Sequence, residues 1–156
     1  MKTVCFLVFI LFLSIVNVQA ADELIIDIKM FPDATGQLSY KNGYERIFYK
    51  NGQEVAREER DKNEKIIKME GKIPDGIFKI NSLHEEIAYK DGQSNNVKMY
   101  NSTWVLEYEY ESKNGKTTKY KVYYPNGELM YETVFNDDGT KVERNYDING
   151  LLESVK

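Results

Sequence analysis

The sequence predicts an all-β fold, an antiparallel meander of repeated β-hairpins that forms an elongated sheet. Eight of the ten glycines follow Asn or Asp, and such dipeptides accept the left-handed backbone of hairpin turns. The runs between them are rich in Tyr, Val, Ile and Thr, which suit a pleated, half-buried surface. From Gly115 onward the turn glycines recur every 11 or 12 residues, the length of one strand plus its turn. The eight dipeptides are Asn42-Gly43, Asn51-Gly52, Asp75-Gly76, Asp91-Gly92, Asn114-Gly115, Asn126-Gly127, Asp138-Gly139 and Asn149-Gly150.

The N-terminal segment has the features of an export signal. Lys2 gives it a positive start, residues 4–16 are nearly all apolar, and Val18-Gln19-Ala20 is a small-residue cleavage pattern. The apolar run is shorter than the roughly 20 residues of a comfortable membrane span, although an uncleaved anchor is the alternative. We therefore expect a signal peptide over 1–20 and one domain over 21–156. The expected location is periplasmic or extracellular, with no integral membrane span after cleavage.

Charge and cysteine content exclude several classes of protein. Cleavage after Ala20 removes one basic residue and no acid, so the net charge moves from −4 to −5. An acidic chain without a basic stripe is a poor ligand for nucleic acid or anionic lipid headgroups. The one cysteine, Cys5, lies in the predicted signal, so the exported chain would contain neither disulfides nor zinc–thiolate sites.

The region from Trp104 to Tyr124 carries the clearest hairpin pattern. Apolar and polar residues alternate on both sides of Asn114-Gly115, which indicates two strands with one apolar and one polar face. A three-residue loop, Lys113-Asn114-Gly115, would keep the two faces apart, whereas a plain two-residue turn would mix them. We therefore predict the three-residue loop. The pairs that it implies are Trp104 with Tyr124, Leu106 with Val122, Tyr108 with Tyr120, Glu109 with Lys119 and Glu107 with Lys121.

The flanking regions are predicted in the same way. Residues 129–135 and 142–146 form the next hairpin, and turns are expected at 33–36 and 73–76. Residues 53–68 are ambiguous because their charges suit a helix and no Gly or Pro interrupts them. Their apolar residues make no continuous helical stripe, so we favour two strands joined at 61–64 over a helix.

Two segments resemble the MORN-repeat variant of bacterial proteins. Tyr49-Lys50-Asn51-Gly52 and Tyr124-Pro125-Asn126-Gly127-Glu128-Leu129 match its Tyr-x-Asn-Gly turn, and Glu132 matches a later Glu. The resemblance runs from Tyr40 to the C-terminus. It implies a run of β-hairpins and an interaction module, in a family whose members often carry an antitoxin-type label. It supplies no catalytic residues.

The candidate chemical residues are better explained by structure than by catalysis. His84 is the one histidine, so the two-histidine helical zinc site is excluded, and a solvated turn is expected. Residues 136–139 resemble a calcium loop in composition but lack the spaced acids of an EF-hand. Glu107, Glu109 and Glu111 share a strand face at about 7 Å spacing, which glycosidase carboxylates also show, yet lysines opposite them explain the pattern. We predict no enzyme, no metal and no cofactor.

Aromatic residues are the candidate binding residues. All twelve tyrosines follow the predicted signal, and many share the face predicted for Trp104. Exposed Tyr and Trp on a flat sheet bind proteins or glycans, although they also cover a sheet by packing on one another. We predict a non-catalytic binding or scaffold protein, with an antitoxin or immunity protein as the alternative. The predicted binding residues are Trp104, Tyr108, Tyr120 and Tyr124.

Overall fold

The computed structural model describes residues 21–156, which form one open sheet of 12 strands. The predicted signal peptide lies outside the described residues. In the described part of the chain the helical structure is one short 3-10 turn, Tyr40–Asn42, and no helix there is long and apolar enough to cross a membrane. The strands are β1 Leu24–Met30, β2 Tyr44–Lys50, β3 Gln53–Arg60, β4 Ile66–Gly71, β5 Gly76–Ile80, β6 Glu85–Lys90, β7 Gln93–Tyr100, β8 Leu106–Lys113, β9 Lys116–Tyr123, β10 Leu129–Phe135, β11 Lys141–Tyr146 and β12 Leu152–Val155.

The order of the strands confirms the predicted hairpin architecture, with one interruption. The order is β12-β11-β10-β9-β8-β7-β6-β5-β1-β2-β3-β4. Consecutive strands pair antiparallel, but β5 lies parallel to β1 instead of pairing with β4. The segment that crosses from β4 to β5 carries Ile73, whose side chain is buried in the hydrophobic core. Burial of this residue favours the crossing over a simple continuation of the meander.

Residues 53–68 form the predicted two strands, β3 and β4. Asp61 begins the loop between them, and its carboxylate accepts hydrogen bonds from the backbone N–H groups of Asn63 and Lys65 at 2.8 and 3.0 Å. Such local bonds favour a turn over a continuing helix. Glu64 completes the loop in a left-handed conformation, with a φ of 65°.

Three tight hairpins turn on two residues that both have positive φ angles. These turns are Asn51-Gly52, Asp91-Gly92 and Asn114-Gly115. Two left-handed residues give the turn twist that matches the right-handed twist of the flanking strands. A β-bulge follows each turn, and its extra residue lies three positions after the glycine, at Val55, Asn95 and Thr118.

The predicted three-residue loop at 113–115 is therefore wrong. Lys113 pairs with Lys116 across a two-residue turn, in which Asn114 and Gly115 have φ angles of 54° and 73°. The bulge at Thr118 then shifts the pairing by one residue, so that the apolar and polar faces stay separate. The observed pairs are Tyr108 with Val122, Tyr110 with Tyr120, Glu109 with Lys121 and Glu111 with Lys119. None of the five predicted pairs forms: Trp104 with Tyr124, Leu106 with Val122, Tyr108 with Tyr120, Glu109 with Lys119 and Glu107 with Lys121.

The N-terminal half of the sheet buries one face, called here the inner face and defined by Ile26, Phe48, Phe78 and Ile87. Phe48, Phe78 and Tyr89 contact one another edge to face, with ring centroids 5.4–5.6 Å apart. Phe48 lies on β2, whereas Phe78 and Tyr89 lie on β5 and β6. These contacts therefore join the two arms of the sheet across its inner face, and they gain both apolar burial and favourable ring geometry.

A buried ion cluster completes this part of the core. Glu58 is 1% exposed, and its Oε1 accepts hydrogen bonds from Arg46 at 3.3 Å and Arg60 at 2.8 Å. A buried carboxylate is strongly destabilising unless such partners compensate the loss of hydration. The two arginines therefore permit an acid on the inner face.

Gly43 gives a test of the close packing where β2 begins. Its φ is 93°, and an added Cβ would lie 2.5 Å from the carbonyl oxygen of Arg60. Gly36 has a similar φ of 85° with open space around it. We expect Gly43→Ala to lower the free energy of unfolding by about 2 kcal/mol more than Gly36→Ala, because only the first adds a steric clash to the backbone strain.

Chemical denaturation of both variants measures this difference. Gly36→Ala is the control for the positive φ that both glycines have. The ψ of 172° at Gly43 adds strain of its own, because this region is essentially limited to glycine. Equal losses of stability in the two variants would contradict the observed approach of Gly43 to β3.

Candidate binding surface

The inner face continues without a break from the core to an exposed surface. One row of paired residues crosses six strands, from Phe78 on β5 to Thr133 on β10. Phe78, Ile87 and the last member, Thr133, are buried, whereas Tyr110 is 36% exposed. The row consists of Phe78, Ile87, Val97, Tyr110, Tyr120 and Thr133.

Four tyrosines of the inner face form an aromatic cluster, called here the tyrosine patch: Tyr108, Tyr110, Tyr120 and Tyr131. The Tyr120 ring lies 6.3 Å from that of Tyr108 and 5.0 Å from that of Tyr110. Tyr131 meets Tyr120 edge to face at 6.3 Å, and its hydroxyl accepts a 2.7 Å hydrogen bond from the buried Thr133. Tyr108 and Tyr110 are each 36% exposed. The patch is therefore an ordered aromatic surface that solvent reaches.

The patch contains two of the four predicted binding residues. Tyr108 and Tyr120 belong to it, and Tyr110 and Tyr131 join them because cross-strand pairing brings them to the same face. Tyr124 lies in the loop after β9, where its hydroxyl donates to the carbonyl oxygen of Tyr146 at 3.0 Å. The alternation of residues 106–110 in the sequence already predicts that Tyr110 lies on the face of Tyr108. The position of Tyr131 beside them follows only from the register between β9 and β10.

Trp104 lies outside the patch, in the loop 101–105 that precedes β8. The residue is 44% exposed, and its ring packs on His84 at 5.1 Å and on Tyr100 at 5.5 Å, measured between ring centroids. Tyr100 donates to Glu86, which lies on the opposite, outer face of the sheet. The prediction that Trp104 shares the face of Tyr108 is therefore wrong, because β8 begins only at Leu106.

Trp104 also occupies a backbone position that usually requires glycine. The loops that begin at Asn101, Tyr124 and Asp147 lie 23 residues apart and contain the same pair of backbone hydrogen bonds. The fourth residue is left-handed in each loop, and the equivalents of Trp104 are Gly127 and Gly150. Trp104 has a φ of 60°, which is costly for a bulky side chain. Contacts of its ring with His84 and Tyr100 offset this strain.

The outer face carries a row of alternating charges across seven strands. Each neighbour in the row has the opposite sign, so every cross-strand contact is attractive. The acids recur at intervals of 23 residues, as do the last three bases. The row consists of Lys79, Glu86, Lys98, Glu109, Lys121, Glu132 and Arg144.

Glu109 is the most enclosed acid of this row. It accepts hydrogen bonds from Asn96 at 2.8 Å, Tyr123 at 2.8 Å and Lys121 at 3.0 Å. Burial raises the pKa of Glu109, but these three donors outweigh it and lower the pKa to about 2. Burial and the bond to Glu109 raise the pKa of Tyr123 to about 12. A carboxylate that stays ionised and has three partners is poorly suited to donate a proton in catalysis.

The remaining candidates take part in turns. His84 lies in the turn between β5 and β6, half-buried against Trp104. Asp138 accepts from the backbone N–H and the hydroxyl of Thr140, so the 136–139 segment forms a turn through its own side chains. Within residues 21–156, no group of three or more His, Cys, Asp or Glu side chains is placed to hold a metal ion.

Comparison with known proteins gives no family for this chain. No family model matches it, and no curated protein matches it either. The likeness to the MORN-repeat variant thus depends on the two Tyr-x-Asn-Gly segments and Glu132.

Glu109 makes the stability of the fold depend on pH. Its folded pKa of about 2 lies below its ordinary value of 4.5, so its ion pair stabilises the fold above pH 4.5. This contribution is lost as the pH falls from 4.5 toward 2. We therefore expect the stability difference between the native protein and Glu109→Gln to shrink over this range.

Denaturant unfolding at several pH values checks this expectation. Glu107→Gln is the control, because it removes an exposed carboxylate from the same strand without touching the cluster. A difference between native protein and Glu109→Gln that stays constant with pH would count against the ion pair.

The left-handed backbone at Trp104 predicts an unusual order of stability. Both Trp104→Gly and Trp104→Ala remove the ring, but only glycine adopts a positive φ without strain. We expect the glycine variant to be more stable by about 1 kcal/mol, the reverse of the usual order in regular structure. Thermal or chemical unfolding of the two variants measures this difference, and a more stable alanine variant would contradict the assigned backbone.

Proposed function

We propose that this chain is an exported, non-catalytic member of the MORN-repeat-variant class that binds a protein partner through the tyrosine patch. The observation that carries the proposal is the cluster of contacting rings of Tyr108, Tyr110, Tyr120 and Tyr131 on an uncovered part of the inner face. Export is supported by the sequence of residues 1–20 and class membership by the Tyr-x-Asn-Gly turns.

The shape and chemistry of the patch favour a protein over a small molecule. Small-molecule sites are concave and enclose most of their ligand, whereas the patch lies on the face of an open sheet. Tyrosine is enriched in the central parts of protein interfaces, since its ring offers apolar area and its hydroxyl a hydrogen bond. A rigid patch also loses little side-chain entropy on binding, because neighbouring rings already restrain each tyrosine.

The three acids in the row of alternating charges support a non-catalytic role. Glu109, Glu132 and Glu86 have partners among lysine, arginine and tyrosine side chains, and these partners keep them in place as structural charges. Cross-strand pairs of this kind stabilise a sheet by about 0.2–1 kcal/mol each. The charged row thus holds together the strands that position the tyrosine patch, and this structural role is enough to explain its acids.

Affinity capture from the native envelope and secreted fractions tests the proposal. The baits are the native protein and the variants Tyr110→Ser and Ile77→Ser. Ile77 is an exposed apolar residue on the outer face, so its substitution is the matched control. We expect a partner that the native and Ile77→Ser baits retain and the Tyr110→Ser bait loses.

The dissociation constant of the captured protein then measures the contribution of the patch. Truncation of a central interface tyrosine is expected to weaken binding about 30-fold, or roughly 2 kcal/mol. Equal binding by all three proteins would exclude the tyrosine patch. Capture of no protein, together with retention of a glycan by the native protein, would replace the protein partner by a carbohydrate.

A further inference from the structure

The edge strand β4 is exposed on both faces and along its outer side. It is the last strand of the sheet, pairs with β3, and has no second neighbour among the described strands. All six of its residues are exposed, including Ile66, Ile67 and Met69. An unpaired strand with exposed apolar side chains is a template for pairing with another strand.

Irregular backbone at both ends of β4 leaves a short regular segment in its middle. The bulge lies at Ile67 and Gly71 has a φ of 73°, so Lys68–Glu70 is the regular part of the strand. Lys68 would ordinarily repel another chain, but its Nζ lies 2.7 Å from Oε1 of Glu70. Both side chains project from the outer face and are more than half exposed. The edge thus carries one charge of each sign, two residues apart, on either side of Met69.

This arrangement is complementary to itself. In an antiparallel pair of identical strands related by a two-fold axis, centring the pair on Met69 places Lys68 of each copy opposite Glu70 of the other. Centring it on Lys68 would place two lysines opposite each other, and centring it on Glu70 would place two glutamates opposite each other. Opposite charges in directly paired positions are favourable, and like charges are not. A two-fold axis placed between two neighbouring residues would pair a side chain of the inner face with one of the outer face.

We propose that β4 is a homodimer interface, in which two copies of this chain join edge to edge in the register centred on Met69. The pairing completes the backbone hydrogen bonds of both edges and brings the exposed Met69 side chains together on the inner face. Two symmetric Lys68–Glu70 contacts form on the outer face. An interface that uses the same patch twice closes on itself and stops at two copies.

The other edge of the sheet lacks this complementarity. β12 has four residues, Leu152–Val155, and Glu153 is its one charged residue. No two-fold register of β12 therefore pairs opposite charges within the strand. Pairing of β12 with β4 of another copy would leave a free edge at each end and would produce open chains of molecules.

Charge reversal on β4 provides the test. We expect the purified native protein to sediment as a monomer–dimer mixture, with a dissociation constant at least about tenfold lower than that of Lys68→Glu or Glu70→Lys. The double variant Lys68→Glu/Glu70→Lys restores opposite charges in the same register. Its dissociation constant should return to within about threefold of the native value.

Lys141→Glu is the matched control. Lys141 and Glu143 are also an ion pair two residues apart, but they lie on β11, which pairs with β10 along Lys141–Asn145 and with the C-terminal segment from Glu143 onward. We expect this reversal to leave dimerisation unchanged. At protein concentrations below the native dissociation constant, unfolding curves of the β4 variants should match that of the native protein, because both side chains are exposed.

Three results would overturn the proposal. A native protein that stays monomeric up to its solubility limit has no such interface. Equal dissociation constants for the single and double variants would place the interface elsewhere. A series of species larger than dimers would indicate pairing of β4 with β12. None of these results depends on the tyrosine patch, so the binding function is tested separately.

Discussion

The register of the hairpins is the constraint on which the rest of the structure depends. Because side chains alternate between the faces of a strand, a slip of one residue would exchange the inner and outer residues. The turns at Asn51-Gly52, Asp91-Gly92 and Asn114-Gly115 would by themselves mix the faces. The extra residue that follows each turn corrects this. Turn and bulge together place the tyrosines on one face and the alternating charges on the other.

The same inner face serves as a hydrophobic core in one half of the sheet and as a surface in the other. Strands β1–β4 fold over β5 and β6, so Phe48 packs on Phe78 and Tyr89 and loses contact with water. Farther along, Tyr110 and Tyr120 continue the row of Phe78 and Ile87 without a covering layer. Their ring centroids lie 5.0 Å apart in a tilted arrangement, while part of each ring stays in water. This difference in coverage distinguishes the tyrosine patch from the core.

The charged outer face explains how a chain without a continuous second layer keeps its strands in place. Lys121 and Arg144 contact Glu109 and Glu132 on neighbouring strands at 3.0 and 2.7 Å. Each surface ion pair contributes little alone, but a row that spans seven strands opposes any relative slip. The 23-residue spacing of these residues shows that each pair of strands repeats the same charged contacts. A repeat protein can thus hold its sheet through contacts between neighbours.

The sequence by itself determined the strands and the turns, because both are local properties. Asn-Gly and Asp-Gly mark the turns through their backbone freedom, and alternation over residues 108–111 separates the faces of β8. It did not determine the register across Asn114-Gly115, since no particular residue type marks the bulge at Thr118. The alternation of residues also led to the wrong prediction of a strand at Trp104. A loop with a bulky residue at a φ of 60° is not expected, because this position usually carries glycine. The tertiary structure alone decided which tyrosines meet and which part of the inner face is covered. Those outcomes depend on the crossing of β5 to β1, a contact between segments about 50 residues apart that no local pattern encodes.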